Sequence, residues 1–180
     1  MSRFWPQSAY AEDQPSSKTI LYTHTLTRGL TTGTILGPLI ASPLYALRQL
    51  NVLSPRALSL PLSYTTLLLR SSTNGAIIGT LALIPLTAIR MWGREDIEWK
   101  DRAWRLLENE GQKECDDWTY GGLVIGAILG GTRRGAFGIK EARPWRAFVG
   151  GAGIGSVLGM VGYMGYRYGM KGGKFEEIEP

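Results

Sequence analysis

One histidine, one cysteine and a pair of adjacent arginines are the side chains in this 180-residue sequence whose types could do chemistry. His24 sits in a Thr-rich polar stretch, where it reads as a capping or surface residue without a Ser, Cys or carboxylate partner to make it a base. Cys115 lies among Glu114, Asp116 and Asp117, whose negative charges work against a reactive thiolate. A single cysteine forms no internal disulfide, and with a single histidine it supplies no zinc cluster of the usual kind. Arg133 and Arg134 are the strongest polar candidates, as topology determinants, as ligands for acidic lipid headgroups or as part of an ion or peptide path.

The glycine run GGAGIG at 150–155 invites a nucleotide-binding reading and fails it. A dinucleotide fingerprint requires glycine three places after the second Gly of Gly-x-Gly, and after Gly153 and Gly155 that place is Leu158. No ligand set for an iron–sulfur cluster, flavin or haem stands out, so the expectation is no cofactor and no catalysis by this chain.

The elements that must position these residues are set by charge placement. The chain has 20 basic and 15 acidic residues and a net charge of +5, yet Gly29–Leu47, Ser71–Ile89, Trp118–Thr132 and Ala147–Tyr166 carry no charge at all. An apolar helix of about 20 residues crosses a ~30 Å hydrocarbon layer. The sequence therefore predicts an all-α membrane protein with four transmembrane helices, at about 29–47, 71–89, 118–137 and 147–166. The third is the shortest, because Arg133 and Arg134 follow it at once. An extended segment at 1–28 precedes this domain (29–169), and a polar tail at 170–180 follows it. The apolar stretch 57–69 leaves the start of the second span open. The amino terminus lacks the pattern of a secretory signal or cleaved presequence, so any organelle address is expected to be internal.

With four spans, both termini share a side. Arg48, Arg56, Arg70, Arg133, Arg134, Lys140, Arg143 and Arg146 lie in the two compact connectors against one acid, Glu141. The positive-inside rule turns those connectors to the matrix or cytosol, and the excess of basic residues is read as topology rather than as a nucleic-acid surface. Arg133, Arg134, Lys140, Arg143 and Arg146 are the candidate ligands for a phospholipid such as cardiolipin. The 91–117 connector, with nine acids and five bases, faces the other compartment. Within it Trp99, Ala103, Leu106 and Leu107 recur at helical spacing, which predicts an amphipathic helix. It either rests on the bilayer or its own bundle, or, through Trp92, Trp99 and Trp104, docks a partner.

Glycine, at 24 residues, is roughly twice its usual share. Gly33 and Gly37 stand four apart in the first span, Gly75 and Gly79 in the second, Gly122, Gly126 and Gly130 in the third, and Gly151, Gly155 and Gly159 in the fourth. Each series makes a smooth stripe along a helix, the surface that close helix packing in lipid requires.

Four glycine-striped spans, termini on one side and basic connectors on the other resemble the inner-membrane preprotein translocase superfamily, which includes a four-helix accessory subunit of respiratory complex I. Gly150, Gly151 and Gly155 fit the small-Gly-x-x-x-Gly end of that family's signature. The start FWPQSAY, followed by Glu12 and Asp13, separately resembles fungal complex I accessory membrane subunits. The resemblance implies a non-catalytic subunit of the mitochondrial inner membrane. It would brace the membrane arm of NADH:ubiquinone oxidoreductase among other membrane subunits, its termini and 91–117 connector toward the intermembrane space. The rival expectation is a preprotein-conducting or transporter component, with Arg133, Arg134 and Asn74 lining a polar groove.

Overall fold

The computed structural model describes residues 4–50, 52, 63–132, 143–173 and 175. Among these residues the regular structure is helical. A 3₁₀ turn at Ala11–Asp13 precedes α1 (Ser17–Gln49), α2 (Tyr64–Arg90), α3 (Asp96–Glu108), α4 (Glu110–Gly131) and α5 (Pro144–Met164), and α5 continues into a π-helical turn at Gly165–Met170. Helices α1 and α2, and α5 with its π extension, are long and apolar enough to cross a membrane. The first eight residues of α4 carry Glu110, Lys113, Glu114, Asp116 and Asp117, so its apolar part begins only at Trp118. Residues 133–137 of the expected third span lie outside the described residues.

Local chemistry explains the boundaries. Gly93, at φ 69°, turns the chain from α2 into α3, which opens with a reciprocal capping box between Glu95 and Glu98. Asn109 ends α3 and caps α4 by accepting from the Gln112 amide at 2.9 Å, so one residue makes the corner. Pro144 stands in the first turn of α5, where its missing N–H costs nothing.

The expectation of an extended segment through residue 28 is corrected: α1 begins at Ser17. The Thr23 and Thr27 hydroxyls donate back to the Thr19 and Thr23 carbonyls, and Ile20 is buried with Ala103 and Leu107 of α3. What reads as a polar approach is a helix whose partners are far away in sequence. Residues 4–16 are also held in place. Trp5 packs on the Ile20 cluster, and the buried Gln14 side chain donates to the Pro6 carbonyl at 2.8 Å. Trp104 Nε1 and Lys100 Nζ from α3 donate to the Ser8 and Glu12 carbonyls.

The body is two antiparallel hairpins, α1–α2 and α4–α5, joined through α5. Its interior is rich in small polar residues: Thr31, Thr34, Thr73, Thr119 and Ser156 are buried, alongside Leu67, Leu69 and Ala76 of α2. Large apolar side chains such as Leu39, Ile40, Ile78, Ile125 and Leu158 point outward. That distribution inverts a water-soluble core and matches helices whose solvent is hydrocarbon. Above the body, α3, residues 4–16 and the first turns of α1 and α4 form a polar head.

Candidate functional site

Two constellations carry the positions that the sequence singles out: the glycine seams and a polar cluster where the head meets the body.

In the α1–α2 seam, Gly33 faces Gly75, Gly29 faces Gly79 and Gly37 faces Ser71. In the α4–α5 seam, Gly122 faces Gly155, Gly126 faces Gly151, Gly130 faces Ala147 and Gly159 faces Trp118. A Cβ placed on any of these glycines would run into the backbone carbonyl of the facing residue. Each glycine Cα–H is therefore aimed at a carbonyl oxygen, the weak hydrogen-bond geometry that recurs where helix backbones touch. All ten glycines of the sequence stripes fall in these two seams.

The sequence did not mark a second small face on α5. A Cβ on Gly153 would run into Thr34 Oγ1 of α1, and one on Gly150 would lie 2.6 Å from Thr73 Oγ1 of α2. On either side of them along α5, Ser156 pairs with Thr31 at 3.3 Å and the Arg146 carbonyl accepts from Thr73 at 3.0 Å. One side of α5 thus grips α4 and another grips α1 and α2. Its string of small residues at 150–156 is what lets one helix do both.

The polar cluster centres on Asp116 of α4. Its Oδ1 accepts from Arg28 Nη2 of α1 at 2.5 Å and from Gln112 Nε2 at 2.9 Å, and its Oδ2 lies 3.8 Å from His24 Nδ1. Burial works to raise the Asp116 pKa, but the His24 and Arg28 interactions and the Gln112 bond outweigh it and hold the carboxyl below its ordinary value. Arg28 also faces Cys115 Sγ at 3.8 Å, and Thr27 bonds Tyr120 at 2.6 Å. Trp5 closes the cluster from the head side over a cavity of about 10 Å³. Nearby, the buried Arg167 pairs with Glu114 at 2.7 Å, its guanidinium 3.9 Å from the Phe175 ring. These contacts pin the start of α4 to α1 on one side and to the end of α5 on the other.

The remaining predicted residues separate. Of the three tryptophans read as a docking surface, Trp99 is buried against Tyr22 with Lys18 over its ring, and Trp104 is half-buried on the Ser8 carbonyl. The connector helix rests on its own bundle, and only Trp92, 84% exposed, is open to a partner. Arg143 is exposed at the start of α5, and the Arg146 guanidinium lies over Trp145 at 5.2 Å. Arg133, Arg134 and Lys140 lie outside the described residues. Asn74 is exposed on α2, away from both seams. His24 is neither a cap nor a surface residue: it sits inside α1 and faces Asp116.

Arg28, Gln112, Asp116 and Tyr120 escaped the sequence reading. The signal was the four-residue spacing of His24 with Arg28 and of Gln112 with Asp116 and Tyr120, which puts each set on one helix face. Among the described residues no group of three His, Cys, Asp or Glu side chains could hold a metal ion.

Residues 6–172 match a family model described as "Protein of unknown function (DUF1757)". No curated protein matches the chain. The match spans nearly the whole sequence, and the chain belongs to the DUF1757 family.

Proposed function

We propose that this DUF1757 protein is a non-catalytic accessory subunit of mitochondrial NADH:ubiquinone oxidoreductase. It lies in the inner membrane and stabilises or assembles the membrane arm. The observation that carries the bracing role is that, among the described residues, each buried charge is paired with a charge on another helical segment: Asp116 with Arg28 and Arg167 with Glu114. The respiratory assignment rests on the resemblance of FWPQSAY and of the four glycine-striped segments.

In this reading α4 also crosses the membrane, as the third of four spans. Its seam with α5 runs from Trp118 to Gly130, so a membrane-crossing α5 carries α4 with it. The cationic ends at Arg48, Arg70, Arg143 and Arg146 face the matrix. The polar head, with both termini and the 91–117 connector, faces the intermembrane space. The exposed Trp92, Phe4 and Tyr10 of the head offer apolar surface to neighbouring subunits. Phospholipids, cardiolipin among them, meet the cationic side. The rival, a preprotein translocase or transporter-like component, gains little from the exposed position of Asn74.

Blue-native electrophoresis of organelle membranes followed by mass spectrometry tests the assignment. Co-migration with the large NADH-oxidising complex is the expected outcome, and migration with import machinery would transfer the protein to the rival class. For topology, a cysteine replacing the exposed Arg105 is expected to label from the side opposite one placed at Lys140. Labelling of both from one face would defeat the four-span arrangement.

A further inference from the structure

Along the outer side of the α4–α5 hairpin runs an open groove of about 640 Å³, lined only by residues of these two helices. The seam glycines Gly122, Gly126 and Gly155 make its floor, and Ile125, Leu129, Ile154 and Leu158 its walls. Ile125 and Leu158 are 61% and 65% exposed, so nothing among the described residues covers it. From Trp118 to Leu129 the groove follows twelve residues of helix, about 16 Å, the depth of roughly one bilayer leaflet. The one charged side chain on it, Asp117, stands at the head end.

The opposite end has the opposite charge. The line of α5 residues through Leu158, Ile154 and Gly151 continues by a helical step to Ala147, and Arg143 stands at the cap just before the helix. Arg146 follows within the first turn of α5, and Thr73 of α2, bonded to the Arg146 carbonyl, brings Arg70 to the same level. Among the described residues of this end, 63–73 and 143–153, there is no acidic side chain.

We propose that the groove holds an acyl chain of a phospholipid whose anionic headgroup is bound by Arg143 and Arg146. The inference rests on reading α4 and α5 as lying in the bilayer. Charge complementarity selects the occupant: a phosphate-bearing lipid places its charge beside guanidinium groups that can donate paired hydrogen bonds, and its tail replaces the missing apolar wall.

The test uses the full chain, purified in mild detergent and incubated with equal amounts of palmitoyl-oleoyl phosphatidylglycerol and phosphatidylcholine. Retained lipid is read by native mass spectrometry. The expected result is one retained phosphatidylglycerol per chain, preferred over phosphatidylcholine by about fivefold or more for each arginine engaged. An Arg143→Gln/Arg146→Gln variant should bring that preference close to one while still retaining lipid. Gly121→Leu, whose side chain enters open space in the groove, should reduce retention of both lipids several-fold. If that variant loosens the fold, Ile125→Trp at the exposed wall provides the same block. Equal retention of the two lipids by the wild type, or unchanged retention by the blocked variants, would overturn the proposal, the latter leaving the groove to a protein helix. Flotation with vesicles of the same two lipids separates the premises. A chain that alkaline carbonate strips from those vesicles overturns the bilayer reading itself. One that stays embedded yet shows no lipid preference overturns the lipid site alone.

Discussion

The α1–α2 hairpin and the α4–α5 hairpin bring helix backbones to the same close approach from different starting materials. Both helices of the first are apolar enough to cross a membrane, and their seam covers three facing positions before Pro38 and Pro43 interrupt the ladder of α1. In the second, α4 spends its first two turns on charged residues, and its seam covers four facing positions without an internal proline. A helix with a short apolar run gains by fastening itself along its whole length to one with a long run, because lipid supplies little force between helices and contact supplies most of it. The α1–α2 seam orients two helices that are each long and apolar enough to cross a membrane. The α4–α5 seam keeps a marginal helix in place.

The largest expected effect breaks that contrast directly. Gly155→Leu drives a side chain into the Gly122 carbonyl, which no rotamer relieves, and should cost ~3 kcal/mol or more. Protease should then reach 118–131 while α1 and α2 stay protected. Gly33→Leu collides with Gly75 in the same way and should leave α4 protected. Thermal unfolding and limited proteolysis of the detergent-solubilised chain read both, and indistinguishable cleavage patterns would erase the difference between the hairpins.

The next effect concerns the tie between the hairpins. Asp116→Asn leaves Arg28 without its charge partner and should cost ~2 to 3 kcal/mol, below the range for a fully buried pair because the Arg28 side chain is 23% exposed. The folded pKa of Asp116 is lowered. Its contribution is therefore fully present above the ordinary carboxyl value of 3.8 and is lost as pH falls through the still lower folded value. The stability gap between wild type and variant should stay constant from neutral pH down to about that ordinary value and close only below it. A gap that closes between pH 7 and pH 5 would assign the effect to another group.

Two smaller substitutions sharpen the comparison. Trp104→Phe removes the 3.1 Å bond to the Ser8 carbonyl and should cost about 1 kcal/mol, seen as faster amide exchange in residues 8–14 with both seams unchanged. Gly121→Leu should shift the thermal midpoint least, within about 0.5 kcal/mol, since a Cβ there meets nothing within 4 Å. A large loss at Gly121 would mean that the outer side of α4 is packed, contrary to its open geometry.

Ten of the eleven seam glycines, all but Gly29, were readable in the sequence because a four-residue repeat of small residues has a local signature. Their partners were not, since a stripe fits any other stripe; chain order pairs α1 with α2 and α4 with α5, and the Thr34–Gly153 and Thr31–Ser156 contacts then seat α1 on α5. The Trp99–Ala103–Leu107 face was legible for the same periodic reason, although its destination, Ile20 of α1, was not. The start of α1 was hidden by composition: Lys18, His24, Arg28 and a row of threonines look like a polar approach until Asp116 and Tyr120 arrive from nearly a hundred residues away. Charge partners at that separation leave no local trace.

From Ser17 to Gly37 helix α1 contains no proline and rises about 31 Å, passing from the contact with Trp99 down to the facing pair Gly33–Gly75. A rod without a hinge acts as a lever. Force applied to the connector helix from above would reach the buried backbone contact as tilt instead of being absorbed on the way, so whatever grips the top of this molecule also sets the angle of its foot.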